Sequence, residues 1–194
     1  VSASALEVYR VLRSVNPSPY MYLLECEDQE GHPYHVVGSS PEALVTVYQG
    51  RVVSHPIAGS RPRGATPEED QAHAASMSRD LKEQAEHLML VDLARNDLSK
   101  VCAPGTLEVS QFMEVERFSH IMHLVSSVEG ELTPEATSVD VFEAAFPAGT
   151  LSGAPKFRAM ELIDAYEQTK RSFYGGAIGF TGFDGSCNQA ILIR

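Results

Sequence analysis

The strongest constraint on the fold of this chain is a long helical block set between two series of short strands. Thr66-Pro67-Glu68-Glu69 supplies an N-cap, a proline at the first helical position and a returning glutamate. A helix therefore begins there and continues, with a break, to Leu98, and Pro104-Gly105 ends the excursion. Ahead of it, Tyr20 to Glu27, His35 to Val37, Leu44 to Tyr48 and Arg51 to Ile57 are β-branched or aromatic runs separated by Gly31, Gly38 and Gly50. That pattern predicts antiparallel strands, with a tight hairpin at Gln49-Gly50. Behind it come strand candidates Leu107 to Phe112 and Ile121 to Glu129, then Ala177 to Thr181 and Asn188 to Arg194 around the turn Phe183-Asp184-Gly185-Ser186. Further helices are expected over Ala5 to Val15, Val139 to Phe146 and Pro155 to Gln168. Strands at both ends with helices clustered between them favour an α+β fold of mostly antiparallel sheet over a doubly wound parallel one.

Inside the helical block, Glu83 to Asp97 reads EQAEHLMLVDLARND, an apolar run from Leu88 to Val91 clamped between charged residues. On a helix, Glu83 and Glu86 fall on adjacent turns of one face, as do Asp92 and Arg95. Carboxylates beside buried apolar surface need a base, a donor cluster or a hard divalent cation as partner. A solvated acidic edge on a core helix has the same pattern.

A formal charge of -11, from 26 acidic and 15 basic residues, argues against a nucleic-acid groove. Local basic clusters such as Arg61 and Arg63 remain as anion sites. Cys26, Cys102 and Cys187 contain no CxxC pair, so neither a disulfide framework nor a structural zinc site is expected, which points to a reducing cytoplasm. No apolar run approaches a membrane span. The chain opens at Val1 and stops at AILIR in what reads as a strand, so the 194 residues are expected to be a segment of a longer protein.

Four constellations could carry chemistry. Pro56 to Gly64, PIAGSRPRG, follows a strand; Gly59 admits a ligand to the backbone, Ser60 adds a hydroxyl, and the arginines make the rim positive. A Pro/Gly turn with solvated arginines is the plainer alternative. Gly149 to Lys156, GTLSGAPK, opens a helix with free amides, hydroxyls and Lys156, an arrangement suited to an anion, although its spacing is not that of a Walker loop. His120 and His123 sit on a strand, three apart, so they are expected to face opposite sides, and one of them near a polar pocket could act as a general acid. Tyr174-Gly175-Gly176 before one strand and Arg194 at the end of another could fix a carboxylate.

Taken in order, PIAGSRPRG, KEQAEHLMLVDLARNDL, RFSHIMHLVSSVEGEL, GTLSGAPKFRAMELID and FYGGAIGF closely resemble the catalytic region of chorismate-utilising enzymes, above all component I of anthranilate synthase. The resemblance covers essentially all 194 residues. It implies the chorismate-binding α+β sandwich, here a partial domain over residues 1–194 that lacks an N-terminal region and the C-terminal end. Within it, Glu86 matches a magnesium-binding glutamate and Glu83 its neighbour near the metal. Gly59 and Ser60 match the loop contacting chorismate, where serine stands for the more frequent threonine. Thr150 falls in the ring-carboxylate region, and Tyr174 and Arg194 match positions that grip the pyruvyl part. His123 matches the histidine that assists pyruvate elimination, and Lys156 belongs to the same set of catalytic positions.

The implied activity is amination of chorismate at C2 by ammonia, with loss of the C4 hydroxyl, followed by elimination of pyruvate to anthranilate in tryptophan biosynthesis. Mg²⁺ is the implied cofactor, and a glutamine amidotransferase subunit, component II, the implied source of ammonia. Ala58 stands where 4-amino branches of the family usually carry a lysine, which disfavours that branch. The remaining alternatives are an aminodeoxyisochorismate or isochorismate-type synthase, a metal-independent anion binder, or an inactive fragment that docks an amidotransferase. With the second magnesium-binding glutamate expected beyond Arg194, the 194 residues alone are expected to turn over little or not at all.

Overall fold

The computed structural model describes residues 3–194. It opens with α1 (Ala5–Val15), which Ser4 and Glu7 start with a reciprocal capping box. Strands β1 (Tyr20–Glu27) and β2 (Pro33–Ser40) pair as a separate antiparallel ribbon. The main sheet has seven strands, β3 (Ala43–Tyr48), β4 (Arg51–Ser54), β5 (Ile57–Pro62), β6 (Glu108–Arg117), β7 (Ile121–Glu131), β8 (Ala177–Thr181) and β9 (Cys187–Ile191). All its pairings are antiparallel.

The hairpin at Gln49-Gly50 forms as expected, with both residues at positive φ of 50° and 77°. The single strand expected over Arg51 to Ile57 is broken at His55-Pro56. Proline offers no N–H to the ladder, so β4 and β5 become two segments laid end to end along one edge of β7. β6 takes the other edge, runs on to Arg117, and tolerates two irregularities in register. Met113, at φ +52°, lies within the second.

Five helices follow β5. The helical block divides at Asp80 into α2 (Pro67–Arg79) and α3 (Leu81–Leu98). Asp80 ends the first and caps the second, its carboxylate accepting from Lys82 N–H and Glu83 N–H. Beyond β7 come α4 (Ser138–Ala145), the single turn α5 (Gly149–Ser152), which the sequence did not suggest, and α6 (Lys156–Tyr166).

α3 and α4 cover one face of the sheet. Val91, Ala94 and Leu98 from α3 and Val141 and Ala144 from α4 pack on Val45, Val47, Val52, Val128 and Ile191. Each large side chain fully buried there contributes roughly 1.5–3 kcal/mol. A smaller cluster joins Ala74 and Met77 of α2 to Met122 and Leu124 of β7. The apolar run of α3 is only half interior: Leu90 and Val91 are buried, while Leu88 and Met89 are exposed. The architecture is α+β with antiparallel sheet, as the sequence leads one to expect, and it stands α3 over the β5–β7 edge.

Candidate active site

A cleft of about 900 Å³ opens where α3 crosses β5 and β7. Its walls include Glu42, Ala58, Gly59, Ser60, Glu83, Glu86, His120, His123 and Arg194. Eight of these nine are residues that the sequence motifs single out.

Gly59 organises the floor. Its φ of +67° breaks the β5–β7 register between Ala58 and Arg61 and turns its carbonyl towards the next strand. That carbonyl accepts a hydrogen bond of 2.8 Å from His123 Nδ1. A carbonyl cannot donate, so the proton is on Nδ1 and the neutral ring offers Nε2 as its basic nitrogen. Phe118 holds the ring from the side, with centroids 5.7 Å apart in an edge-on contact.

Glu83 approaches the same glycine: a Cβ built on Gly59 would lie 3.1 Å from Glu83 Oε2. The other oxygen, Oε1, accepts from Arg61 Nη1 at 3.2 Å, while Arg61 Nη2 reaches Asp80 Oδ2 at 2.9 Å. Arg61 therefore compensates the glutamate and leaves Oε2 towards the cleft. One turn on, Glu86 is exposed on the same wall. Two carboxylates three residues apart on one helix fit a hard divalent cation, which takes oxygen donors and completes its shell with further oxygens. The donor set matches Mg²⁺ in kind.

The arginines do not form the positive rim expected of them. Arg63 Nε donates to Asp70 Oδ1 at 2.6 Å, and Arg117 Nε donates to Asp70 Oδ2 at 3.0 Å. With the Gly64 N–H added, these bonds lower the Asp70 pKa to about 2, the Arg63 contact having the largest effect. His120 also departs from expectation. It lies in the β6–β7 turn and not on a strand, so the alternation argument lapses and both histidines line the cleft.

Glu42 was not singled out by any motif. It follows Ser39 and Ser40, which are buried at the end of β2, and its backbone carbonyl accepts from Ile191 N–H at 3.0 Å. Its Oε1 accepts from Thr150 Oγ1 at 2.8 Å. Burial raises the Glu42 pKa, opposed by the Thr150 hydroxyl and by the charge of Arg194. Glu42 also lines a recess of about 50 Å³ shared with Thr150, so one carboxyl links that recess to the cleft. A lone acid between two segments that read as interior strand was the available signal.

A family model described as chorismate binding enzyme matches residues 1–194. The chain belongs to the chorismate-binding enzyme family. Anthranilate synthase component 1 of Arthrobacter globiformis is 62% identical over 99% of this chain and 36% of its own length. The protein of the same name from Mycolicibacterium smegmatis is 58% identical over all of this chain and 37% of its own. Among solved structures, anthranilate synthase component I from Streptococcus pneumoniae superposes with a TM-score of 0.87 at 45% identity, covering 100% of this chain and 41% of that one. A putative 2,3-dihydroxybenzoate-specific isochorismate synthase from Bacillus anthracis gives 0.85 at 29% identity, covering 99% and 51%. The chain thus spans well under half the length of these curated relatives.

Three positions of this chorismate-binding domain that the sequence singles out lie apart from the cleft: Lys156, Tyr174 and Thr150, which lines the small recess beside Glu42. Lys156 is not presented to an anion: Nζ donates to Asp97 Oδ2 at 2.6 Å and to the Ala145 carbonyl at 3.0 Å, with only 10% of its side chain exposed. The ammonium is committed to α3 and to the end of α4, not to the anion site that the GTLSGAPK motif suggests. Tyr174 lines a neighbouring concavity with Arg171, whose guanidinium stands 6.0 Å from its ring. Backbone pairing of Gly175 and Gly176 with Leu192 holds the residues after Tyr174 beside the segment that follows β9, which stops at Ile191 and not at Arg194 as expected.

Proposed function

We propose that the protein containing this chain is component I of an anthranilate synthase, converting chorismate and ammonia to anthranilate for tryptophan biosynthesis. The observation that carries this reading is the convergence of Glu83, Glu86, Gly59, Ser60, His123 and Glu42 on one cleft. It agrees with identities of 50–62% to proteins of that name. Ala58 lines the cleft and is buried, so no amine is present there to attack the ring.

In this reading Glu83 and Glu86 hold Mg²⁺, which when bound supplies electrostatic activation of the departing C4 hydroxyl and a fixed point for the ring carboxylate. Gly59 and Ser60 orient the ring, and the Thr150 region faces its carboxylate. Arg194 takes the pyruvyl carboxylate by charge-assisted hydrogen bonding. Glu42 keeps its proton to higher pH than an ordinary glutamate and delivers it to the leaving hydroxyl. His123 Nε2 handles the proton of pyruvate elimination, with Nδ1–H anchored on Gly59. Ammonia comes from a glutamine amidotransferase subunit, and the setting is cytoplasmic.

The test is product identification by mass after the full-length protein is incubated with chorismate, ammonium and Mg²⁺. Anthranilate is expected, and a chelator should abolish it. Isochorismate, or aminodeoxyisochorismate as the end product, would overturn the assignment.

A further inference from the structure

We infer that His87 and Ser126 form a positioning pair that fixes the carboxylate face of α3 against the strand carrying His123. His87 is fully buried, immediately after Glu86 and one turn beyond Glu83. Its Nε2 lies 2.6 Å from Ser126 Oγ, and Ser126 is also fully buried, three residues beyond His123 on β7.

Ser126 is the node of a four-element junction. Its N–H donates to the Pro56 carbonyl at 3.0 Å, just ahead of the Gly59 bend. Its Oγ accepts from Met113 N–H at 2.9 Å, holding the left-handed residue in the β6 irregularity. With His87 added, α3, β6 and β7 meet at one hydroxyl, and the segment leading into β5 is tied to the same residue's N–H, directly behind the cleft wall.

The chemistry of His87 sets the pair apart from ordinary packing. Its Nδ1 has no hydrogen-bond partner among the described residues, so Nε2 makes the ring's one directional contact there. A leucine would fill such a space without stranding a polar atom. What leucine cannot supply is a directional bond, and that bond sets the rotation of α3 about its axis. Glu83 and Glu86 turn with the helix, so a small rotation moves both carboxylates relative to His123 Nε2. A misplacement of about 1 Å can cost on the order of a hundredfold in rate.

This inference rests on the assignment of Glu83 and Glu86 as cation ligands, so its test reads cation binding directly. Mn²⁺ binding to the full-length protein is measured by paramagnetic resonance, without substrate, alongside kcat and KM for chorismate. His87→Leu should fold and yet bind Mn²⁺ about tenfold more weakly, with kcat lowered at least tenfold and KM changed less than threefold. His87→Gln, whose amide reaches Ser126, should stay within about threefold of wild type in both. Ser126→Ala cuts the bond from the other side and decides the matter if His87→Leu does not fold: at least fivefold weaker Mn²⁺ binding supports the pair, and unchanged binding overturns it. Equal losses in His87→Leu and His87→Gln, or Mn²⁺ binding indifferent to Glu86→Gln, also overturn it. Wild-type protein that binds Mn²⁺ through Glu86 but makes no anthranilate overturns the assigned reaction alone.

Discussion

Lys156 Nζ lies 2.6 Å from Asp97 Oδ2, a contact between two side chains about nine-tenths buried. Asp97 Oδ1 also receives Lys100, which is half exposed. Removing Lys156 leaves a buried carboxylate with its weaker partner, at a cost of about 3 kcal/mol. Lys156→Met should therefore lower stability in urea unfolding by about that amount. The double variant Lys156→Met/Asp97→Asn should recover at least half, because no uncompensated charge remains.

His123 offers a cleaner separation of fold and chemistry. In His123→Asn the side-chain amide can still donate to the Gly59 carbonyl, while the atom replacing Nε2 is lost. Anthranilate formation by the full-length protein should fall by about 10²-fold or more. The thermal midpoint should stay close to that of wild type.

Glu42→Gln should move activity and stability in opposite directions. Because burial raises the folded-state pKa of Glu42, the charged form opposes folding. That penalty is absent below the unfolded-state pKa, grows as pH rises to the folded value, and is complete above it. The glutamine variant should lose turnover and yet melt higher than wild type at pH 7, with the difference vanishing near pH 4.

Asp70 predicts the opposite window. Its folded pKa of about 2 lies below the unfolded value of about 3.8, so its bonds to Arg63, Gly64 and Arg117 stabilise fully above pH 4. This contribution is lost as pH falls from 4 towards 2. Melting curves of wild type and Asp70→Asn should converge over that interval.

Gly59→Ala tests the cleft floor. A left-handed alanine costs on the order of 1–2 kcal/mol, and its methyl would press on Glu83 Oε2. Lower stability in denaturant and weaker cation binding by calorimetry should appear together.

Local signals carried most of the architecture. The Thr66 cap, the Gln49-Gly50 hairpin and the spacing of Glu83 and Glu86 each act within a few residues, and each is where the sequence put it. What escaped depends on distant partners. Arg61 and Arg63 read as free cations because Asp80, Glu83 and Asp70 lie further along the chain. Lys156 read as part of an anion site because Asp97 is fifty-nine residues away. Glu42 was silent because its environment is made by Thr150 and Arg194, from the other end of the sequence. His120 was misplaced because residues 118–120 form the turn between β6 and β7 and are not strand.

The order of the main sheet sets when the cleft can exist. β3 is seated between β4 and β9, and Glu42 takes its backbone partner from Ile191, one hundred and forty-nine residues later. Closing so large a loop is entropically costly and late. A partly folded chain with α2, α3 and the β6–β7 hairpin in place would already display Glu83, Glu86 and His123, yet have no Glu42 or Arg194 opposite them. In the proposed reading, ligand recognition is thereby tied to completion of this sheet.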